Sequence, residues 1–467
     1  MENIKTPAKL LKEKLTADSK NAGLRLSDTE IDKAFDFCEG YKAFLDAGKT
    51  EREAAQYAVA LAEKNGFIPF EPGKKYQAGD KVYSVNRGKA VILAVIGSEP
   101  IEKGVKLSVA HIDSPRLDLK PNPLYEDAEL ALCKTHYYGG IKKYQWAALP
   151  LSLHGVIVKA NGETVSVRIG EEENDPVFCV TDLLPHLAGD QMKRTLQEGI
   201  RGEELNIMVG SMPFKDDAES ELVKLNILRI LHEKYGIVES DFLSAELEAV
   251  PAQKARDIGF DRGMIGAYGQ DDRVCAYTAL KATMDCISPR TTVVTVLTDK
   301  EEIGSDGNTG LNSAYFKYFI ADLAAPYGVP ARTVLSNTRC LSADVNAAFD
   351  PTFPEVHEKK NASFVNKGIV VTKYTGARGK SGTSDASAEF MGYVRRMLDR
   401  EHIVWQTGEL GKVDQGGGGT VAVYLAALNI DVIDVGVPVL SMHAPFELTG
   451  KLDVYMAYRA FLAFYSE

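Results

Sequence analysis

At 467 residues the chain is too long for one ordinary hydrophobic core and suits two domains. A composition of 45% hydrophobic and 25% charged residues is that of a soluble globular protein and excludes extensive disorder, while a net charge of -11 argues against nucleic-acid or anionic-membrane partners, which call for basic patches. The start, MENIKTPAKLLKEKL, lacks the apolar core of a signal peptide, no later run reaches the ~18 apolar residues of a membrane span, and the scattered cysteines have neither metal nor disulfide-framework spacing, so a reduced, cytoplasmic protein is expected.

The first sixty-odd residues read as helices. Ser27-Asp28-Thr29-Glu30 has capping-box spacing ahead of IDKAFDFCEGYKAFLDA, and EREAAQYAVALAEKNG follows, stopped by Gly66. Strand-like runs come next at 81–85, 90–96 and 107–110, the last leading directly into His111-Ile112-Asp113-Ser114-Pro115. On an extended backbone His111 and Asp113, two residues apart, point to the same side, which suits a histidine ligand with a carboxylate beside it. An ordinary hydrogen-bonded histidine is the alternative at that position.

Between about Leu117 and Val250 the pattern changes. Tyr137-Tyr138-Gly139-Gly140 precedes strand-like runs at 149–160 and 163–169, joined by Asn161-Gly162 as a tight hairpin turn. A polar stretch containing DLLPHLAGDQMKR and the amphipathic LVKLNILRILHEKYG complete a β-rich module with one or two helices. The expected organisation is a discontinuous α/β domain, residues 1–116 and 251–467, interrupted by an inserted β-rich domain, residues 117–250.

The α/β pattern resumes with Gly269-Gln270-Asp271-Asp272-Arg273 at the start of a helix. Two carboxylates there are favoured by the helix dipole alone; their functional reading is one carboxylate bridging two metals, with its neighbour braced against the backbone. The apolar, β-branched run 292–297 reads as a buried parallel strand, followed by Glu301-Glu302. Adjacent side chains there diverge, so one can ligate a metal while the other moves protons. Asp344 follows another short apolar stretch, His443 follows the run 432–440, and a helix from roughly Gly450 to Tyr465 closes the chain. His111, Asp271, Glu302, Asp344 and His443 thus cluster at predicted strand ends. Their mixed nitrogen and oxygen donors suit zinc, cobalt or manganese, and they divide between two ions if one carboxylate bridges.

In order and spacing, the blocks AHIDSP, YYGG with Trp146 and PLSL downstream, PHLA at 185–188, GQDDR, EEIGS, SADVNAAFDP with His357-Glu358 after it, and SMH followed by Glu447 are matched in one known family. The chain resembles the aspartyl aminopeptidase family of co-catalytic dinuclear zinc metallopeptidases over nearly its whole length. That resemblance implies an α/β fold of zinc aminopeptidase/phosphorylase-like type, with a mixed central sheet flanked by helices and the insert serving as dimerisation domain or lid. It implies a metal-dependent aminopeptidase removing single N-terminal residues from peptides with a free N-terminus. His111, Asp271 and Asp344 would hold one ion, and Asp271, Glu302 and His443 the other, with Zn2+ first and Co2+ or Mn2+ as alternatives. A hydroxide between the ions would attack the peptide carbonyl, with Glu301 as general base and Asp113 supporting the first ion's site.

The resemblance also implies an acidic preference at the substrate N-terminus, for which Lys373, Arg378 and Lys380 are the local cations. It implies a cis peptide between Asp271 and Asp272, a His186 that reaches a neighbouring subunit's active site, and homodimers building a dodecamer. The chain departs from better-known members at Ala148-Leu149-Pro150-Leu151, at Gly418-Gly419-Thr420-Val421 and in KYTGARGKSGTSD, which bears on substrate preference and subunit contacts. A related zinc carboxypeptidase or deacylase would use the same ions on a different substrate. A non-catalytic assembling or cargo-binding relative would have no use for Glu301.

Overall fold

The computed structural model describes residues 6–16, 20–216, 219–376 and 378–467. The capping box expected at Ser27 forms with Glu30 at the start of the Asp28–Ala47 helix, and Thr50 with Glu53 starts Glu51–Lys64 in the same way. On the second helix Ala54, Ala55, Ala58 and Ala62 are buried, and these small side chains let the helix lie close to what it covers.

That surface is a nine-stranded sheet. Its order is Ile68–Pro69, Lys81–Asn86, Ala90–Val95, Val293–Thr298, Lys106–His111, Arg339–Ala343, Asp431–Gly436, Ile369–Thr372 and Trp405–Thr407. The central four strands, from Val293–Thr298 to Asp431–Gly436, run parallel, and antiparallel neighbours flank them. Strand alternation divides the core into two layers. Val91, Leu93, Val95, Val293 and Leu297 face the helices Asp28–Ala47, Glu51–Lys64, Gln270–Asp285 and Lys451–Ser466. Ile92, Ala94, Leu107, Val109, Val294 and Val296 face the other side, where Tyr315–Ala324 and Ala331–Ser336 pack. With both faces covered, the central strands read as continuous apolar runs, and every residue of Val293–Thr298 and Lys106–His111 is buried.

Residues 116–251 form a second, seven-stranded sheet, ordered Thr164–Ile169, Leu151–Val158, Ala245–Pro251, Arg116–Asp127, Leu130–Tyr138, Ile207–Gly210 and Cys179–Val180. The helix Leu222–Tyr235 packs on it through Leu228 and Leu231. The turn at Asn161-Gly162 is wider than the two-residue hairpin expected: Lys159 N–H donates to the Glu163 carbonyl at 2.8 Å, leaving Ala160, Asn161 and Gly162 in the loop. Asn161 stabilises the wider form by accepting from Glu163 N–H at 2.9 Å. Buried charges tie this sheet to the start of the helix Glu51–Lys64. Arg116 meets Glu51 at 3.3 Å and Glu248 at 3.2 Å, Lys49 meets Glu171 at 2.8 Å, and His154 meets Glu53 at 2.8 Å.

A third sheet of five short strands, Arg256–Ile258, Met264–Ala267, Glu447–Gly450, Pro438–Leu440 and Asn346–Ala347, crosses beside the carboxyl ends of the central strands. It delivers the segments carrying Asp271, Asp344 and His443.

Candidate metal centre

In an open α/β sheet the crevice beyond the strand carboxyl ends is where ligands sit, and the expected residues converge there. His111 ends its strand opposite Thr298, Glu301 and Glu302 follow Thr298 in a single helical turn, and Asp344 follows Ala343. Lys300 (φ 67°) and His443 (φ 65°) are left-handed, re-aiming the chain where each loop turns back over the sheet. Gly269, also left-handed, leads into the Gln270–Asp285 helix, and the peptide joining Asp271 to Asp272 is cis.

Asp271 stands at the centre. Its Oδ1 lies 3.2 Å from His111 Nε2, and its Oδ2 lies 3.2 Å from His443 Nε2. Asp344 Oδ1 is 4.0 Å from His111 Nε2, and Glu302 Oε2 is 3.5 Å from His443 Nε2. The donor atoms of His111, Asp271 and Glu302 lie within 4.8 Å of one another, as do those of His111, Glu301 and Asp344. Glu301 Oε2 approaches His111 Nε2 at 3.8 Å from the cavity side.

The orientation of each group has an identifiable support. His111 Nδ1 lies 3.0 Å from the Asp113 carbonyl oxygen and 3.4 Å from Asp113 Oδ1, which favours the proton on Nδ1 and leaves Nε2 as the donor atom. His443 Nδ1 is fixed in the same sense by the Gly140 carbonyl at 2.8 Å. The Asp113 carboxylate accepts from the Glu301 and Glu302 amides at 3.1 and 3.2 Å and from Tyr138 Oη at 2.8 Å. Arg116 stacks on the Tyr138 ring with its guanidinium 3.9 Å from the centroid. Ser114 Oγ donates to the Asp271 carbonyl at 2.7 Å. Glu447 accepts from the Asp271 amide at 3.1 Å and from the His443 amide at 2.7 Å.

The electrostatics favour cations. Burial and the Asp271 charge raise Glu302 well above the ordinary carboxylate range, and burial with Glu301 does the same to Asp344. Burial disfavours protonated histidine, yet the surrounding carboxylates raise both His111 and His443, the latter to about 10. Asp271 Oδ1 and Glu302 Oε1 are buried without a hydrogen-bond partner. Buried carboxylates that repel one another and hold orphaned oxygens, with two imidazoles among them, are the donor set that divalent ions satisfy. Burial, with Asp271 and Asp113 nearby, pushes Glu301 up to about 6 against the pull of His111.

All five expected ligands, Glu301 and Asp113 come together; His186 does not. It is exposed in the segment 185–188 of the seven-stranded unit and is absent from the cavity wall. Asp272 is not braced against the backbone as expected. Both its oxygens lack hydrogen-bond partners, and its carboxylate faces inward beside Asp271 and Asp344, so the bracing falls to Ser114 and Glu447. Glu447 and Tyr138 are supports that residue-by-residue reading missed. Their one sequence signal is position within the SMH…E and YYGG blocks.

The cavity over the centre has a volume of about 680 Å3 and is walled by Leu410, Val423, Tyr424 and Met442 together with the glycines 417–419. No lysine or arginine lines it among the described residues. Lys373 and Lys380 both turn to Asp385, at 2.7 and 2.9 Å, and Arg378 lines a smaller neighbouring cleft.

Comparison with known proteins places the chain in a family. Residues 44–465 match the family model described as aminopeptidase I zinc metalloprotease (M18). A "Probable M18 family aminopeptidase 1" of Clostridium acetobutylicum is 51% identical over 458 residues, 96% of this chain and 98% of that protein. The crystal structure of an M18 family aminopeptidase from Thermotoga maritima superposes with a TM-score of 0.92 at 44% identity, covering 96% of this chain and 99% of that one. The mApe1 dodecamer of S. cerevisiae, at a TM-score of 0.74 and 23% identity, covers 92% of this chain and 96% of that one and shares the fold.

Proposed function

Because the chain belongs to the M18 family of zinc metallopeptidases and is a metal-dependent aminopeptidase, we propose that its activity resides in a two-ion centre bridged by Asp271, with Glu301 as general base. One ion would be held by His111, Asp271 and Asp344 and the other by Asp271, Glu302 and His443. The observation that carries this reading is the division of the Asp271 carboxylate, one oxygen 3.2 Å from each histidine. Bound there, the ions would acidify a water and polarise the scissile carbonyl.

The protein's own groups do the rest. Glu301 stands at the cavity wall beside His111, and its carboxylate is the group assigned here to accept a proton and return it to the leaving amine. Asp113 fixes the His111 ring and, through the two amides it accepts, sets the turn that aims Glu301 to one side and Glu302 to the other. The Gly140 carbonyl and Glu447 keep His443 in place.

The 117–250 segment is read as a dimerisation or lid domain inserted into the catalytic domain. In that reading His186 of one subunit completes the site of another by donating to the developing oxyanion, which agrees with its exposure on this chain. The likeness to a dodecameric neighbour supports assembly of the same kind. A preference for acidic N-terminal residues would likewise have to draw a cation from a neighbouring subunit, because Lys373 and Lys380 are engaged elsewhere.

Glu301→Gln tests the proposal. The variant should bind zinc with wild-type stoichiometry and keep its melting temperature while kcat on leucyl-4-nitroanilide falls about 10²–10⁴-fold. Near-wild-type turnover in the fully metallated variant would remove Glu301 from the mechanism.

A further inference from the structure

A second cleft of the molecule runs against the charge of the whole. It lies among the segments 20–25 and 360–367, the helix Ala388–Arg400 and the edge strand Trp405–Thr407, and its volume is about 560 Å3. Lys20, Arg25, Lys360, Lys367 and Arg395 line it. Among the described residues Asp399 is the single carboxylate on its wall, in a chain whose net charge is -11.

Asp399 is shared between an indole and one of these cations. Its Oδ1 accepts from Trp405 Nε1 at 2.8 Å, and its Oδ2 lies 3.6 Å from Arg395 Nε, so its contacts are with the indole and one cation. Arg25, Lys360 and Lys367 have no ion-pair partner among the described residues. The Lys367 ammonium instead sits 4.5 Å from the Phe364 ring centroid. The cleft therefore joins several cations to two aromatic side chains, one of them held in place by a hydrogen bond.

Like charges gathered in one concavity raise the local potential, and a compact ligand of high negative charge relieves their repulsion more than a lone carboxylate does. The volume falls in the range of small-molecule sites, about 300–1,000 Å3, which points to a small polyanion rather than a macromolecule. Guanidinium and ammonium groups with aromatic faces are the combination that recognises phosphates and stacks a base. We propose that this cleft binds a polyphosphate group, carried either by inorganic polyphosphate or by a nucleoside triphosphate.

The protein contains its own reporter. It has two tryptophans, of which Trp146 is fully buried in the seven-stranded unit and Trp405 lines the cleft. The full-length protein would be titrated with sodium tripolyphosphate and, separately, with ATP at low ionic strength. Trp405 emission is the readout rather than activity, since polyphosphates also sequester divalent ions. The expected result is a saturable change that weakens as salt is raised, disappears in Trp405→Phe, and needs at least about tenfold more ligand in the variant Lys367→Glu/Arg395→Glu, whose circular dichroism should be unchanged. ATP binding at least about tenfold tighter than tripolyphosphate would identify a nucleotide site, and equal affinity would identify the phosphates alone as the determinant. The proposal is overturned if neither compound gives saturable binding at millimolar concentration by fluorescence and calorimetry. Equal affinity for the charge-reversed variant would overturn it too.

Discussion

The two oxygens of Asp271 face opposite histidines, and no other carboxylate of the centre stands between both rings in this way. At the scale of single residues the site combines candidate ligands whose ionisation a cation would favour with groups that hold them, such as Tyr138 and Glu447. Away from the site, Asp257 shows the same physics with protein cations in place of ions. It meets Lys42 at 2.8 Å, Lys451 at 2.9 Å and Arg262 at 3.0 Å. Burial would raise its carboxyl, but Lys42 and Lys451 outweigh burial and hold it at about 2. Its folded pKa is thus below the unfolded value of about 3.9, so its contribution to stability is complete above pH 4 and is lost as pH falls toward 2. Asp257→Asn should therefore lower the urea midpoint at pH 6, and the gap to wild type should narrow on acidification through pH 4 to pH 2. A gap that is constant over that window would contradict the assignment.

At the scale of elements, the centre depends on how closely neighbouring strands can approach. A Cβ added at Gly436 would lie 1.7 Å from the Asp344 carbonyl oxygen, so the Asp431–Gly436 strand passes the ligand segment with no room for a side chain. Gly436→Ala should cost about 1–3 kcal/mol in chemical denaturation, as overpacking does, and should also weaken zinc binding by displacing Asp344. Unchanged stability and affinity would show that the strand end relaxes freely. The sequence made much of this layer readable because two buried faces write continuous apolar runs, as in Val293–Thr298, and because the ligands sit where those runs end. It concealed the third sheet, whose strands, such as Asn346–Ala347 and Pro438–Leu440, are too short to carry a period. It likewise concealed the roles of Glu447 and Asp272, which depend on packing between segments distant along the chain. The capping box at Ser27 was legible because its hydrogen bonds are local.

At the scale of the whole molecule, the seven-stranded unit exposes Val177, Leu183, Leu184, Leu187, Met192 and Leu196 near His186. Apolar surface of that kind, next to a histidine with no part in its own chain's site, is consistent with a subunit contact that carries His186 to a neighbour. His186→Ala should assemble as wild type in sedimentation while losing turnover, and a fully metallated monomer should be inactive. A monomer with wild-type activity would contradict action between subunits. The account as a whole rests on the two-ion centre, and its most direct test is calorimetric titration of the metal-free protein with zinc. The wild type should show two sites per chain. Asp344→Asn should weaken one of them, whereas Asp271→Asn should weaken both together. A single site in the wild type, or an Asp271→Asn titration in which one site keeps its affinity, would contradict a carboxylate shared between two ions.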